Sequence, residues 1–99
     1  EKWKEENYKN GKLHGKQTYW DEKGNKELEK TYRDGKKDGL WTSWYSNGQK
    51  YSEQTWKNGK YEGMWTWWFE NGQKWKEENY KDGIEIDYKE WFKDGKLRE

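Results

Sequence analysis

The side chains that could do acid–base, nucleophilic or metal chemistry are few in this 99-residue chain, and their spacing works against all three. The single histidine, His14, lies between Gly11 and Gly15. Its counterparts at successive steps of 24 along the chain are Asp38, Glu62 and Ile86, so an imidazole function does not recur and His14 reads as a surface turn residue. Glu5, Glu29, Glu53 and Glu77 recur at the same spacing. On alternate strands of a sheet they would stand roughly 9–10 Å apart, too far for one cation whose oxygen ligands lie at about 2.3–2.6 Å. Adjacent pairs such as Glu5-Glu6 and Glu77-Glu78 point to opposite faces of a strand, so they do not form the facing carboxylate couple of a glycosidase. There is no strand–loop–helix glycine motif to cradle phosphate and no Ser-His-Asp set. Without cysteine there is no thiolate and no disulfide framework. The expectation is a protein that is not an enzyme, with no cofactor and no metal, whose glutamates are solvated charge.

The remaining chemistry is that of aromatic surfaces, which bind by stacking and apolar contact. Ten Trp, eight Tyr and two Phe make up most of the 27% hydrophobic fraction, while Val, Ala, Cys and Pro are absent. A charged fraction of 41% and a mean hydropathy of −1.95 would ordinarily signal disorder. Each buried aromatic ring, however, removes roughly 150–250 Å² from water, so twenty rings can replace an aliphatic core. The net charge of +1 gives no global field for nucleic acid. The longest apolar stretch, 64–69, falls far short of the roughly 20 residues of a membrane-spanning helix. The chain starts at Glu1 without an initiator Met, which points to a processed product, an excised fragment or an engineered chain.

The glycines set the organisation. Gly11, Gly35, Gly59 and Gly83 follow one another in steps of 24, as do Gly15, Gly39 and Gly63, with Asp87 at the fourth place. Gly24, Gly48 and Gly72 follow the same step, and Gly95 comes one residue early. The chain thus divides into copies 1–24, 25–48, 49–72 and 73–95 with a stub 96–99, one repeat domain in all. Asn-Gly and Asp-Gly pairs at 10–11, 34–35, 47–48, 58–59, 71–72, 82–83 and 94–95 are hairpin turns that tolerate positive φ. The runs between them, rich in Trp, Tyr and Thr, predict about eight antiparallel strands near 2–9, 16–20, 28–33, 39–46, 50–57, 63–70, 74–81 and 85–92. The fold class expected is all-β, an elongated, twisted, largely single-layer meander of hairpin repeats.

If Asn47-Gly48 is a two-residue turn, Trp44 faces Tyr51 and Gly39 faces Trp56, and in the next copy Trp68 faces Trp75 and Gly63 faces Tyr80. Rings lying over cross-strand glycines would give those glycines a packing role. Strand alternation then puts Trp41, Tyr45, Trp56, Trp65, Trp67, Phe69 and Tyr80 on one face, with Leu40, Trp44, Tyr51, Met64, Trp68 and Trp75 on the other. The first set is the candidate binding surface.

The phrases DGLWTSWYSNGQKYSEQTWKNGKYEG and EGMWTWWFENGQKWKEENYKDG resemble the MORN-type repeat in the variant found in YwqK-type bacterial proteins, often labelled antitoxins. The resemblance spans 1–95 and is strongest in the second and third copies; Lys16 and Asp87 depart from the pattern in the first and last, as end caps would. It implies hairpin sheets that serve protein–protein association and sometimes membrane attachment. A weaker similarity is to choline- and glucan-binding cell-wall repeats, whose Gly-Trp-Tyr-Tyr order is not reproduced. Three functions follow: a scaffold that docks a protein partner or a second copy of itself on the aromatic face, an engineered or excised scaffold without its own ligand, and a glycan- or choline-binding platform.

Overall fold

The computed structural model describes residues 3–98; the start of the expected strand 2–9 therefore lies outside the described residues. That first segment contains β1 (Lys4–Glu5) and β2 (Tyr8–Lys9), and β3 (Lys12–Leu13) returns along β2. There follow β4 (Gly15–Trp20), β5 (Lys26–Arg33), β6 (Lys36–Lys37), β7 (Gly39–Trp44), β8 (Lys50–Lys57), β9 (Lys60–Tyr61), β10 (Gly63–Trp68), β11 (Lys74–Lys81), β12 (Ile84–Trp91) and β13 (Leu97–Arg98). No helix occurs among the described residues. The main sheet runs β1-β4-β5-β7-β8-β10-β11-β12-β13, with β6 and β9 as side pairs on β5 and β8. Every neighbour pair is antiparallel, so the chain is a meander. Its extents are 48 × 37 × 10 Å. Stacked sheets lie about 10 Å apart, so this thickness accommodates one layer.

Two kinds of turn alternate along the sheet. At Asn10, Asp34, Asn58 and Asp82, φ is 50–52° and the following glycine is also positive, which makes them two-residue turns twisted to suit a hairpin. Asn47-Gly48 is different and corrects the expected register. Only Gly48 has a positive φ (88°); Tyr45 N–H donates to the Gln49 carbonyl at 2.8 Å and Gly48 N–H to the Tyr45 carbonyl at 3.0 Å. The loop is thus 46–48, and Asn47 Oδ1 braces it by accepting from the Gln49 amide at 2.9 Å. Trp44 consequently faces Lys50 rather than Tyr51, and Trp68 faces Lys74 rather than Trp75, with a bulge restoring Gly39 opposite Trp56 and Gly63 opposite Tyr80.

The glycines at those last two positions owe their place to the backbone. Gly39 and Gly63 have φ of +88° and +74°, kinking the chain between each short strand and the long one that follows. A Cβ at Gly39 would meet the Thr31 side chain at 3.3 Å and one at Gly63 the Thr55 side chain at 3.7 Å; neither would touch the cross-strand ring, so ring cover is not what requires glycine.

The fourth copy lacks the kink. β12 pairs with β11 from Lys81↔Ile84 to Lys76↔Glu90 with one irregularity, at Ile86. Glu53 pairs with Thr66 and Glu77 with Lys89, a step of 24 on one strand and 23 on the other, so the missing residue falls between Glu85 and Lys89, where the kink would be.

Candidate functional site

The two-residue turns at 34–35, 58–59 and 82–83 deliver Tyr32, Trp56 and Tyr80 at their entries, and the kinks at Gly39 and Gly63 deliver Trp41 and Trp65 two residues on. Together they build one ring cluster on one face. Tyr32 touches Trp41 at 5.4 Å between centroids, Trp41 touches Trp56 at 5.5 Å, and Trp56 touches Trp65 at 5.1 Å. Tyr61 then bridges Trp65 (4.3 Å) and Tyr80 (5.1 Å), and Trp67 closes on Trp65 at 5.8 Å. All are tilted or edge-on, the arrangements the ring quadrupoles favour. Trp41, Trp56 and Trp65 are only 8%, 8% and 6% exposed. A single layer achieves this by covering rings with rings and with lysine stems: Lys37 Nζ lies 4.9 Å from the Trp41 ring centroid and 4.4 Å from that of Trp56.

The seven residues of the candidate surface therefore occupy three settings. Trp41, Trp56 and Trp65 are the core of the sheet, and Trp67 and Tyr80 pack against them half-buried. Tyr45 and Phe69 belong elsewhere: the three-residue loops turn them toward Tyr51 (5.1 Å) and Trp75 (5.9 Å), rings that strand alternation assigns to the opposite face. Tyr45 also donates its phenol O–H to the Trp68 carbonyl at 2.8 Å, tying one copy to the next.

Indole hydrogen bonding distinguishes the three core tryptophans. Trp41 Nε1–H donates to the Thr31 carbonyl at 2.8 Å and Trp65 Nε1–H to that of Thr55 at 2.9 Å. In the first copy the same place is taken by Gln17, fully buried, whose amide bonds Asn7 through both its backbone N–H and its carbonyl. Trp56 Nε1–H is buried without an acceptor. Tyr8, Tyr32 and Tyr80 stand at its place in the other copies. Trp56→Tyr is therefore expected to change unfolding free energy by less than about 1 kcal/mol, the lost ring area being offset by removal of an orphan donor that costs about 1–3 kcal/mol. Trp56→Ala is expected to cost about 3–5 kcal/mol. Urea unfolding of both variants checks the contrast.

Ladders joining successive copies are features that sequence reasoning missed. Gly35, Gly59 and Gly83 amides donate to the carbonyls of Leu13, Lys37 and Tyr61 at 2.8–3.0 Å. Beside them the amides of Asp34, Asn58 and Asp82 donate to His14 Nδ1, Asp38 Oδ1 and Glu62 Oε1 at 3.0–3.2 Å. His14 thus does the work of its acidic counterparts as a hydrogen-bond acceptor, a role visible beforehand only in the shared ability of the three side chains to accept. On the other face, Lys26, Lys50 and Lys74 lie 5.7–5.9 Å from the ring centroids of Trp44, Trp68 and Trp91, and each pairs with the glutamate three residues on. Those glutamates are engaged by lysine, and no group of three potential metal ligands occurs among the described residues.

Burial pushes the phenols of Tyr32, Tyr45 and Tyr80 above their ordinary 10.0. Tyr19 moves the same way, through burial first and its hydrogen bond to Glu6 second. A raised folded-state value means the folded chain holds these protons more tightly than the unfolded one. The stabilisation is complete below pH 10 and is lost as pH rises through the folded values. Melting temperature is expected to fall steeply above pH 10, and Tyr80→Phe to blunt the fall. Glu78 is also raised, by burial and then by Glu85, so its contribution is greatest in acid and is lost as pH rises.

A single-layer meander with this period, turn chemistry and copy-to-copy ladder defines a hairpin-repeat protein. The chain belongs to the MORN repeat variant family, which matches residues 4–21, 13–34, 37–58 and 61–82, the last three starting at a constant step of 24. It matches no curated protein.

Proposed function

We propose that the chain is a non-enzymatic scaffold of the YwqK-like type, built of copies 1–24, 25–48, 49–72 and 73–95, that docks a protein partner on its aromatic face. The observation that carries this reading is the continuous ring cluster from Tyr32 to Tyr80 on a sheet one layer thick. Trp41, Trp56 and Trp65 hold that surface rigid from beneath. Trp67 and Tyr80, half-buried, and Tyr61, 39% exposed, offer ring edges to a partner. Tyr45 and Phe69, turned toward Tyr51 and Trp75, lie outside this surface. Apolar surface of this kind, rimmed by lysine and glutamate, suits protein contact. Membership of the MORN repeat family supports an interaction role.

Tryptophan fluorescence titrated with peptides, oligosaccharides and phospholipid vesicles tests it. The expected result is a shift with apolar peptides that Trp67→Ser abolishes while the circular dichroism of the sheet is unchanged. A response to sugars or vesicles without one to peptides overturns the reading.

A further inference from the structure

We infer that the outer edge of β12, between Ile84 and Lys89, takes the first strand of a second copy of this chain, so that copies join head to tail. The surface is separate from the aromatic face and stands whether or not that face binds a protein. β12 is paired with β11 from Ile84 to Glu90, whereas on its other side, among the described residues, β13 reaches only Glu90 and Trp91. The open stretch exposes Ile84, Ile86 and Tyr88, at 67%, 59% and 48%.

The opposite end of the sheet is the complementary half. Lys4 and Glu5 pair with Tyr19 and Thr18 of β4 on their inner side. The equivalent strands β5, β8 and β11 each make a pairing of six residues, with β4, β7 and β10, on the side that the first strand leaves open. Residues 2–9, KWKEENYK, are identical to 74–81, the segment that makes this pairing as β11. A second copy would therefore bring to β12 a sequence already used for this purpose inside the chain.

The register follows from the internal junction. Met64↔Asn79, Trp65↔Glu78 and Thr66↔Glu77, moved by the repeat steps, place Asp87 opposite Asn7, Tyr88 opposite Glu6 and Lys89 opposite Glu5. The amides point the right way. Trp20 N–H reaches the Trp3 carbonyl, so Trp3 and, by alternation, Glu5 and Asn7 turn inward, leaving Lys4, Glu6 and Tyr8 directed outward. Tyr88 N–H is likewise outward, where it meets Asp87 Oδ1 at 2.9 Å. The glycine ladder would gain one more rung, from Gly11 N–H of the second copy to the Glu85 carbonyl.

Two features weaken this junction relative to the internal ones. Ile86 stands where His14, Asp38 and Glu62 accept the next turn's amide, and the Asp87 carboxylate already holds Tyr88 N–H. Charged guards of this sort restrain open edges, so the association is weak and Asp87 sets its strength.

Sedimentation equilibrium tests the inference. The average mass of the unaltered chain is expected to rise with concentration into the millimolar range. Tyr8→Pro and Tyr88→Pro each remove one outward amide; each is expected to be monomeric alone, and an equal mixture to form dimers through the one intact pair of edges. Asp87→Gly is expected to tighten association about tenfold by freeing Tyr88 N–H. A flat mass for both the unaltered chain and Asp87→Gly overturns the inference, as does Tyr8→Pro associating as strongly as the unaltered chain, which would mean that two C-terminal edges pair. If Tyr88→Pro loses its near-ultraviolet dichroism, Asp87→Gly decides alone: tighter association supports the inference, and unchanged or weaker association overturns it.

Discussion

Replacing Trp65 with alanine is expected to lower the melting temperature by about 20 °C. The ring is 6% exposed and meets Trp56, Tyr61, Trp67 and Tyr80, so its removal leaves a cavity that a single layer cannot close from a second side. Truncating a buried tryptophan costs about 3–5 kcal/mol. The Thr55 carbonyl also loses its indole donor. In a domain of this size about 1 kcal/mol corresponds to about 4–8 °C, and total stability is only about 5–15 kcal/mol. Because each copy touches mainly its neighbours, β10 to β12 should melt first while the Tyr32–Trp41 contact persists, giving a broadened transition. Trp3→Ala, at a residue 56% exposed, is the control and should leave the midpoint within about 2 °C. Differential scanning calorimetry reads both, and a small, sharp shift for Trp65→Ala would show that the ring cluster is not the core.

The period of the fold was legible because its cause is local. An Asn-Gly or Asp-Gly pair needs positive φ wherever it falls, and its recurrence at one constant step marks the hairpins whatever the tertiary structure. Asn47-Gly48 shows where this kind of reading stops. The same dipeptide closes a three-residue loop here, with Asn47 accepting from the Gln49 amide and donating across to the Glu70 carbonyl of the next copy. Among the described residues, the same loop forms at 94–95 with only the forward bond, from the Lys96 amide to Asp94 Oδ1, so the cross-copy bond supports the loop without setting it. The extra loop residue carries Tyr45 and Phe69 out of the ring cluster to which alternation assigns them. The candidate surface was legible as a set of rings but not as a partition into support and contact. Trp41 and Trp67 look alike in sequence; Trp41 lies between two rings, Tyr32 and Trp56, under two lysines and is buried, whereas Trp67 meets one ring, Trp65, and one lysine, Lys76, and is left half-open. His14 was hidden for a different reason. An acceptor at that position can be an imidazole or a carboxylate, and chemical dissimilarity masked a shared geometry.

Gly39→Val is expected to cost about 3 kcal/mol, although no ring depends on the missing side chain. At φ +88° a β-branched residue is placed where L side chains clash with their own backbone. Holding an ordinary residue in such a region costs about 1–3 kcal/mol. A Cβ there also meets Thr31 Cγ2 at 3.3 Å, and Thr31 cannot turn aside freely because its hydroxyl donates to the Leu40 carbonyl at 2.9 Å. Gly48→Asn is the matched comparison. It has nearly the same φ with nothing within 4 Å, and Asn tolerates the left-handed region, so its cost should stay near about 1 kcal/mol. The fourth copy shows the other route: where one residue is lost at the kink and Asp87 pairs in the register of Met64, β12 runs straight. A valine at 39 without such a deletion has to keep the kink and its strain. If Gly39→Val and Gly48→Asn lose equal stability in urea titrations, the steric part of the argument fails and only the backbone part stands.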